Sequence, residues 1–310
     1  MIKVSANKRR VLLFPLVLMV AACGIASSYR PAVRKTIDDF SDTNVYRKTV
    51  GVLALVNTTM FTSPQVASPF LQSFLEGLKS EASDVRLRLA DDTDAPSFLG
   101  TPPRIANGDI DVFHLSAAAR QAGMNTILSP ILMDIRVRKK DTGFWFFRDV
   151  SYRLQIQTAA ACYDVITGSR LALGILTDEV DITGEQADSI SNGREVQVDD
   201  LVEVAEKMGE KLGERMGEAV EKSKWLTSVV AIENGSCVLP AGSEVGIRID
   251  DRFSVLDGSA VLTGLGEQRY IEPGWKIGEI TIRQVTAGNS LGSPTSGDTP
   301  PVGSILVPGQ

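Results

Sequence analysis

The sequence predicts an α+β protein, a mixed sheet flanked by helices and followed by a small all-β barrel. Three observations carry that expectation. Up to residue 225, continuous or alternating apolar runs are interleaved with three stretches of helical periodicity. From Thr227 onward the period is two, in short runs divided by glycine-rich turns, as in small barrels. A length of 310 residues, 43% of them hydrophobic and 23% charged, suits two modest cores and not a disordered chain.

The chain opens on an address. Lys3, Lys8, Arg9 and Arg10 precede the uncharged apolar residues 11–22, as in the n- and h-regions of a signal peptide. The apolar run is too short to span a bilayer. It ends in Val20-Ala21-Ala22-Cys23-Gly24, which resembles the bacterial lipobox, so residues 1–22 are expected to be removed and Cys23 to be lipidated. The alternative is a plain secretory leader with Cys23 incidental. A mature chain from Cys23 has 288 residues with 28 bases against 38 acids, a net charge of −10. Such a chain is held by its acyl chains, worth about 0.8 kcal/mol per buried methylene, and not by attraction to anionic lipid. By resemblance to lipoproteins with glycine at the second mature position, Gly24 implies the outer membrane, with the protein facing the periplasm. Residues 23–48 are polar and mixed and read as the anchor and its tether.

Order is expected from Thr49, the start of an α/β domain over residues 49–225. Residues 50–56 are almost continuously apolar, as in a strand buried on both faces. Ser68-Pro69 supplies an N-cap and a first-turn proline for a helix with Phe70, Leu71, Phe74, Leu75, Leu78 and Ala82 on one face. Val85, Leu87 and Leu89 alternate with Arg86 and Arg88 as a half-buried strand. Residues 91–108 read as loop, and 109–123 as a second helix closed by Gly123. Residues 127–137 and 150–161 are two long strands, and Leu171, Leu173 and Ile175 return after a turn at 164–168.

A third helix over 198–222 carries Leu201, Val204, Met208, Leu212, Met216 and Val220 beside a row of Gly209, Gly213 and Gly217. Glycine costs about 1 kcal/mol against alanine inside a helix, so something approaches that row closely. The partner is either the domain's own sheet or a second subunit. Beyond it, runs at 228–232, 236–239, 252–256, 259–262 and 278–285 make up a barrel domain over 226–287. Residues 288–301 hold eleven Gly, Ser, Thr or Pro in fourteen positions, so 288–310 is expected as a flexible tail whose residues 304–307 return as a closing strand.

The order strand, helix, strand, helix, three antiparallel strands, long helix resembles the TolB amino-terminal and CsgG-type periplasmic domains. Three pieces carry the likeness: Val50-Gly51-Val52-Leu53-Ala54-Leu55-Val56-Asn57, Ala118-Ala119-Arg120-Gln121-Ala122-Gly123 before Ile127-Leu128, and Asp164-Val165-Ile166-Thr167-Gly168. The second module has Ala241-Gly242-Ser243-Glu244-Val245-Gly246-Ile247 running into Asp250-Asp251-Arg252-Phe253-Ser254-Val255, then Ile277-Gly278-Glu279-Ile280. It is similar to the SH3-like carboxy-terminal barrel of flagellar assembly protein T, whose family implies a periplasmic ring around the flagellar rod. The chain differs from that family in its lipobox and in leaving no length for the additional amino-terminal domain. A curli-type secretion channel needs two long transmembrane hairpins per subunit, and one is visible here. Its alternation, Ile131, Met133, Ile135 and Val137 then Val150, Tyr152, Leu154 and Ile156, equally suits a sheet covered by helices on one face.

Several chemistries lack their groups. His114 is the sole histidine and no G-x-S-x-G elbow exists, so it is expected to be structural. HExxH, P-loop and clustered CxxC patterns are missing too. Asp91, Asp92 and Asp94 read as a solvated acidic loop, without the glycine and distant glutamate of an EF-hand. Cys162 and Cys237 lie in separate apolar runs, as buried thiols or as a disulfide between the halves. A net charge of −6 argues against nucleic acid.

No catalytic, cofactor or metal site is therefore expected. The candidate contacts are the glycine row and Phe144-Trp145-Phe146-Phe147, flanked by Lys139, Lys140 and Arg148. Those rings suit a membrane interface, a protein contact or the protein's own core. The expected function is that of a non-enzymatic lipoprotein, bound to the bilayer through acylated Cys23 and assembled with its own copies or other envelope proteins. It is a structural or assembly component of an envelope machine, with a CsgG-like pore or an adaptor of a cell-wall enzyme as alternatives.

Overall fold

The computed structural model describes residues 46–61, 64–142 and 149–309. Cys23 and Phe144, Trp145, Phe146 and Phe147 lie outside these residues. The opening apolar run divides into β1 (Lys48–Val52) and β2 (Val56–Asn57), because Leu53 and Ala54 turn their amides to the carbonyls of Leu128 and Leu99, each at 2.9 Å. There follow α1 (Pro64–Glu81), β3 (Val85–Leu89), the single turn α2 (Ser97–Gly100), α3 (Val112–Gln121), the long strands β4 (Thr126–Thr142), β5 (Asp149–Asp164) and β6 (Arg170–Ile182), α4 (Gly184–Ser191) and α5 (Leu201–Lys222).

The sheet runs β3-β1-β4-β5-β6, with β2 added to β4. β1 is parallel to both neighbours, whereas β4, β5 and β6 are antiparallel. Alternate residues share a face. Leu128, Leu132, Ile135, Leu154, Ile156, Cys162 and Val180 lie in one core with residues of α1, α4 and α5. α1 contributes Val66, Phe70, Phe74 and Leu78, four residues apart, with Ala82 just beyond its end. This helix starts earlier than expected: Pro64 takes the first helical position, and Pro69 is inside the helix, where it leaves one main-chain bond unmade. α2 and α3 cover the other side of β1 and the start of β4, through Leu99, Leu115, Ala119, Met124 and Ile127.

The second module comprises β7 (Thr227–Ser228), β8 (Ala231–Glu233), β9 (Ser236–Leu239), β10 (Arg252–Leu256), the hairpin β11 (Ala260–Thr263) and β12 (Arg269–Glu272), β13 (Lys276–Val285), β14 (Ser290–Ser296) and β15 (Ile305–Pro308). Seven strands form one sheet in the order β7-β15-β10-β13-β14-β9-β8, with the hairpin apart. The two outermost strands, β7 and β8, are neighbours in sequence. Between them Val229 donates to Ser304 O at 3.0 Å and Val230 to Val238 O at 2.9 Å. The chain thus bends from one end of the sheet to the other, and the sheet curls around Cys237, Leu239, Phe253, Val255, Ile280, Ile282 and Leu306.

Two boundaries differ from the sequence reading. Residues 288–301 are not a flexible stretch throughout, because β14 lies between β13 and β9, while the closing strand at the end of the tail is β15, between β7 and β10. Small polar residues suit β14 because Ser290 donates to Ala241 O at 2.8 Å, and Pro294 falls beyond the stretch that pairs with β9, where no amide is required on that side. The tether also ends before residue 48. Tyr46 packs against Trp225 and Phe253 at ring-centroid distances of 4.7 and 5.6 Å and donates to Asp251 Oδ2 at 2.9 Å. Lys48 is buried and donates from Nζ to Val220 O and Glu221 O at 2.7 and 2.8 Å, satisfying the carbonyl end of α5. Burial lowers its ammonium below the ordinary lysine range, against the pull of Glu221.

The modules share structure. Buried Asn125 accepts from Thr49 N at 2.8 Å and donates to Leu226 O at 2.7 Å. Gly123 has a positive φ of 69°, and a Cβ there would stand 2.0 Å from Pro240 O, so glycine serves both the helix end and the approach of the barrel. Ile166, Leu226, Leu256, Ile271, Ile305 and Val307 form a small core of residues from both modules. No helix among the described residues is long and apolar enough to cross a membrane.

Candidate functional site

His114 belongs to the start of α3. Asp111, the N-cap, accepts from His114 N at 3.1 Å and from His114 Nδ1 at 2.6 Å. Burial raises the Asp111 carboxyl, and the hydrogen bonds from His114 outweigh that and hold it below its ordinary range. The imidazole side chain is 60% exposed, with Arg269 3.5 Å from its Nε2. Its visible work is capping and docking of the β12 strand, since the Arg269 guanidinium also lies 4.2 Å from the centre of the Phe113 ring.

Cys162 and Cys237 are free, buried thiols in different cores. Burial pushes Cys162 up to about 12, with the Asp164 charge adding to it, and raises Cys237 as well. The acidic loop is tied down locally: Asp92 accepts from Leu89 N at 2.8 Å, and Asp94 pairs with Arg88 at 3.1 Å. Among the described residues no three His, Cys, Asp or Glu side chains gather as a metal site would require.

The glycine row has a partner other than the two expected. Cβ atoms at Gly209, Gly213 and Gly217 would stand 2.4 Å from Phe70 O, 2.1 Å from Phe74 O and 2.8 Å from Leu78 O. All three neighbours belong to α1, and Gly77 of α1 returns the contact, its Cβ position 2.3 Å from Glu210 O. The row is the seam of an intrachain helix pair, neither a seat on the sheet nor an open surface for a subunit. On the sheet side, Gly174 of β6 makes room for Leu212 of α5.

What α1, α4 and α5 leave uncovered is the opposite face of β4, β5 and β6. The registers align Ser129 with Ala161 and Leu173, Ile131 with Ala159 and Ile175, and then Asp134 with Gln157 and Thr177. Met133 is the extra residue of a bulge between Leu132 and Asp134. On one side of the bulge the face is aliphatic, with Leu173 39% and Ile175 50% exposed. On the other it is a polar ladder, where Arg153 bridges Glu179 at 3.0 Å and Asp181 at 3.1 Å, and Arg136 and Arg138 each donate to Gln155 Oε1.

The aliphatic end of this face borders a cleft of about 480 Å³ between the modules. Its floor is Ser129 and Ile131, its walls are residues of the 104–112 segment and the start of β6, and Gln268 and Tyr270 of the β11–β12 region close it. That region is fixed where Gln268 Nε2 donates to Ile110 O at 3.1 Å and Ile271 N to Thr167 O at 2.9 Å. Burial raises the Tyr163 hydroxyl above its ordinary range, against the pull of Arg170. The sequence reading missed the cleft, because its residues come from five separated segments.

No family model matches the chain, and no curated protein does. Among solved structures it is similar to a PelC dodecamer from Paraburkholderia phytofirmans, at 14% identity and a TM-score of 0.32, over 56% of this chain and 89% of that one. It is also similar to a lipoprotein from Neisseria meningitidis, at 10% identity and a TM-score of 0.27, over 47% and 93% of the two chains. A third is TolB from Acinetobacter baumannii, at 8% identity and a TM-score of 0.25, over 79% and 57%. Likeness at this level carries no argument about function.

Proposed function

We propose that this chain is a lipid-anchored outer-membrane protein facing the periplasm, which works without catalysis as a structural or assembly component of an envelope machine. The leader and Cys23 supply the anchor. The observation that carries the reading is the open sheet face, where Leu171, Leu173 and Ile175 follow one another two residues apart along β6, 40%, 39% and 50% exposed. Contiguous exposed aliphatic surface on a well-packed body marks a contact site. A flagellar-ring or secretion accessory, built from copies of the chain or from envelope partners, is the form this role takes. The pore reading is the weaker one, since the apolar stripe Ile135, Leu154 and Ile156 of the long hairpin is buried under helices instead of facing lipid.

The test combines radiolabelled palmitate incorporation with the mass and liposome conductance of the detergent-extracted native protein. A labelled, non-conducting oligomer or heteromeric complex whose label is lost in Cys23→Ala is expected. A conducting ring would overturn the reading in favour of a pore, and an unlabelled, soluble monomer would remove both anchor and assembly role.

A further inference from the structure

The cleft between the modules holds a polar atom with no partner and a wall rich in donors. Ser129 lines it at 2% exposure, and its Oγ makes no hydrogen bond among the described residues. A buried hydroxyl left unsatisfied costs about 1–3 kcal/mol, and this one lies in the cleft floor, closed to solvent. Around it stand the guanidiniums of Arg104 and Arg170 and the phenols of Tyr163 and Tyr270, against one carboxylate, Asp109. Arg170 makes no ion pair among the described residues, and the Arg104 Nη1 donates to Gly108 O at 2.6 Å. Donors and positive charge therefore exceed acceptors and negative charge. Val56, Ile110, Val112 and Ile131 give the same cleft an aliphatic side.

We propose that this cleft captures the free carboxylate end of a peptide whose last side chain is aliphatic. The planar guanidinium fork matches a carboxylate with two parallel hydrogen bonds, and tyrosine hydroxyls donate to its remaining lone pairs. The aliphatic side receives the terminal side chain, while Asp109 is placed to accept a peptide N–H. A uronic acid offers the same carboxylate but surrounds it with hydroxyls, which would leave the aliphatic wall facing polar groups. The volume lies in the lower part of the ~300–1,000 Å³ range of small-ligand sites, suited to a chain end and too small for a helix. This proposal is independent of the anchoring and assembly reading, and either can fail alone.

The test is fluorescence anisotropy of the full chain in detergent with a fluorescein-labelled peptide ending in alanine-valine, as the free acid and as the terminal amide. D-glucuronate serves as competitor. The acid is expected to bind saturably and the amide at least ten-fold more weakly, the loss of one charge-assisted hydrogen-bonded pair. Arg170→Ala and Arg104→Ala, both at exposed positions, should each weaken the acid about ten-fold, with circular dichroism unchanged. Equal affinity for acid and amide, no binding of either, or indifference of the acid to both arginine variants would overturn the proposal. Displacement by glucuronate as effective as by unlabelled peptide would overturn it in favour of an acidic saccharide.

Discussion

Within the six-stranded sheet, the two faces of β4, β5 and β6 carry the same alternation, yet they meet different surroundings. On the covered face nearly every inward residue is apolar and packed, and β6 shows it locally: Gly174, Val180 and Ile182 are buried while Ile175, Glu179 and Asp181 between them are exposed. The open face changes character along the strands, aliphatic before the Met133 bulge and ionic after it. Apolar alternation states that one side of a strand is dry, and the neighbouring helices decide which molecule keeps it dry. The covered face holds the fold together. The open face is left without a covering helix.

Substitutions on the two faces should separate these roles, and the largest effect belongs to the covered side. Phe74→Ala, at a fully buried ring between α1 and α5, is expected to cost about 3–5 kcal/mol in urea denaturation, with helicity lost in parallel. Next is Gly213→Ala. Its Cβ meets main chain at 2.1 Å, so the helices must part, costing about 1–3 kcal/mol even after the gain in helix propensity; a variant at least as stable as the parent would show that the seam is loose.

The third concerns alkali. Cys162 is neutral in the folded protein up to about 12, whereas an exposed thiol ionises near 9, so the folded state holds the proton more tightly. Stability from this group is complete below the lower value and is lost as pH rises through the window between the two, at about 1.4 kcal/mol per pH unit. Denaturation curves from pH 9 upward should show that decline, and Cys162→Ala should lessen its slope by that amount. The smallest effect on stability belongs to the open face. Leu173→Ser with Ile175→Ser should change unfolding by under about 0.5 kcal/mol per site while shifting the sedimentation profile of the extracted protein to smaller species; an unchanged profile would leave this patch without a contact role.

How much of this was legible varied with the residues. β3, the long hairpin and α5 followed from periodicity, because each presents one face to a core. α4 was missed although Thr183 and Gln186 form a capping box ahead of it, since its eight residues bury only Ala187 and Ile190. Residues 290–296 misled by composition: serine, glycine and proline form β14 because strands on both sides fix it. The glycine row announced a close approach, but its partner, α1, lies more than a hundred residues away and no local signal names it. The inter-module cleft was illegible for the same reason, as Ser129, Arg170 and Tyr270 are brought together by topology alone.

The position of β15 sets a timetable for biogenesis. β7 and β10 are joined through Ile305–Pro308, so a nascent chain that stops at the β14 strand leaves both with bare edges, ready to pair with other chains. The barrel therefore reports on whether synthesis has passed residue 308: a product that stops before β15 carries an open seam that proteases and chaperones can read, and one that includes β15 hides it.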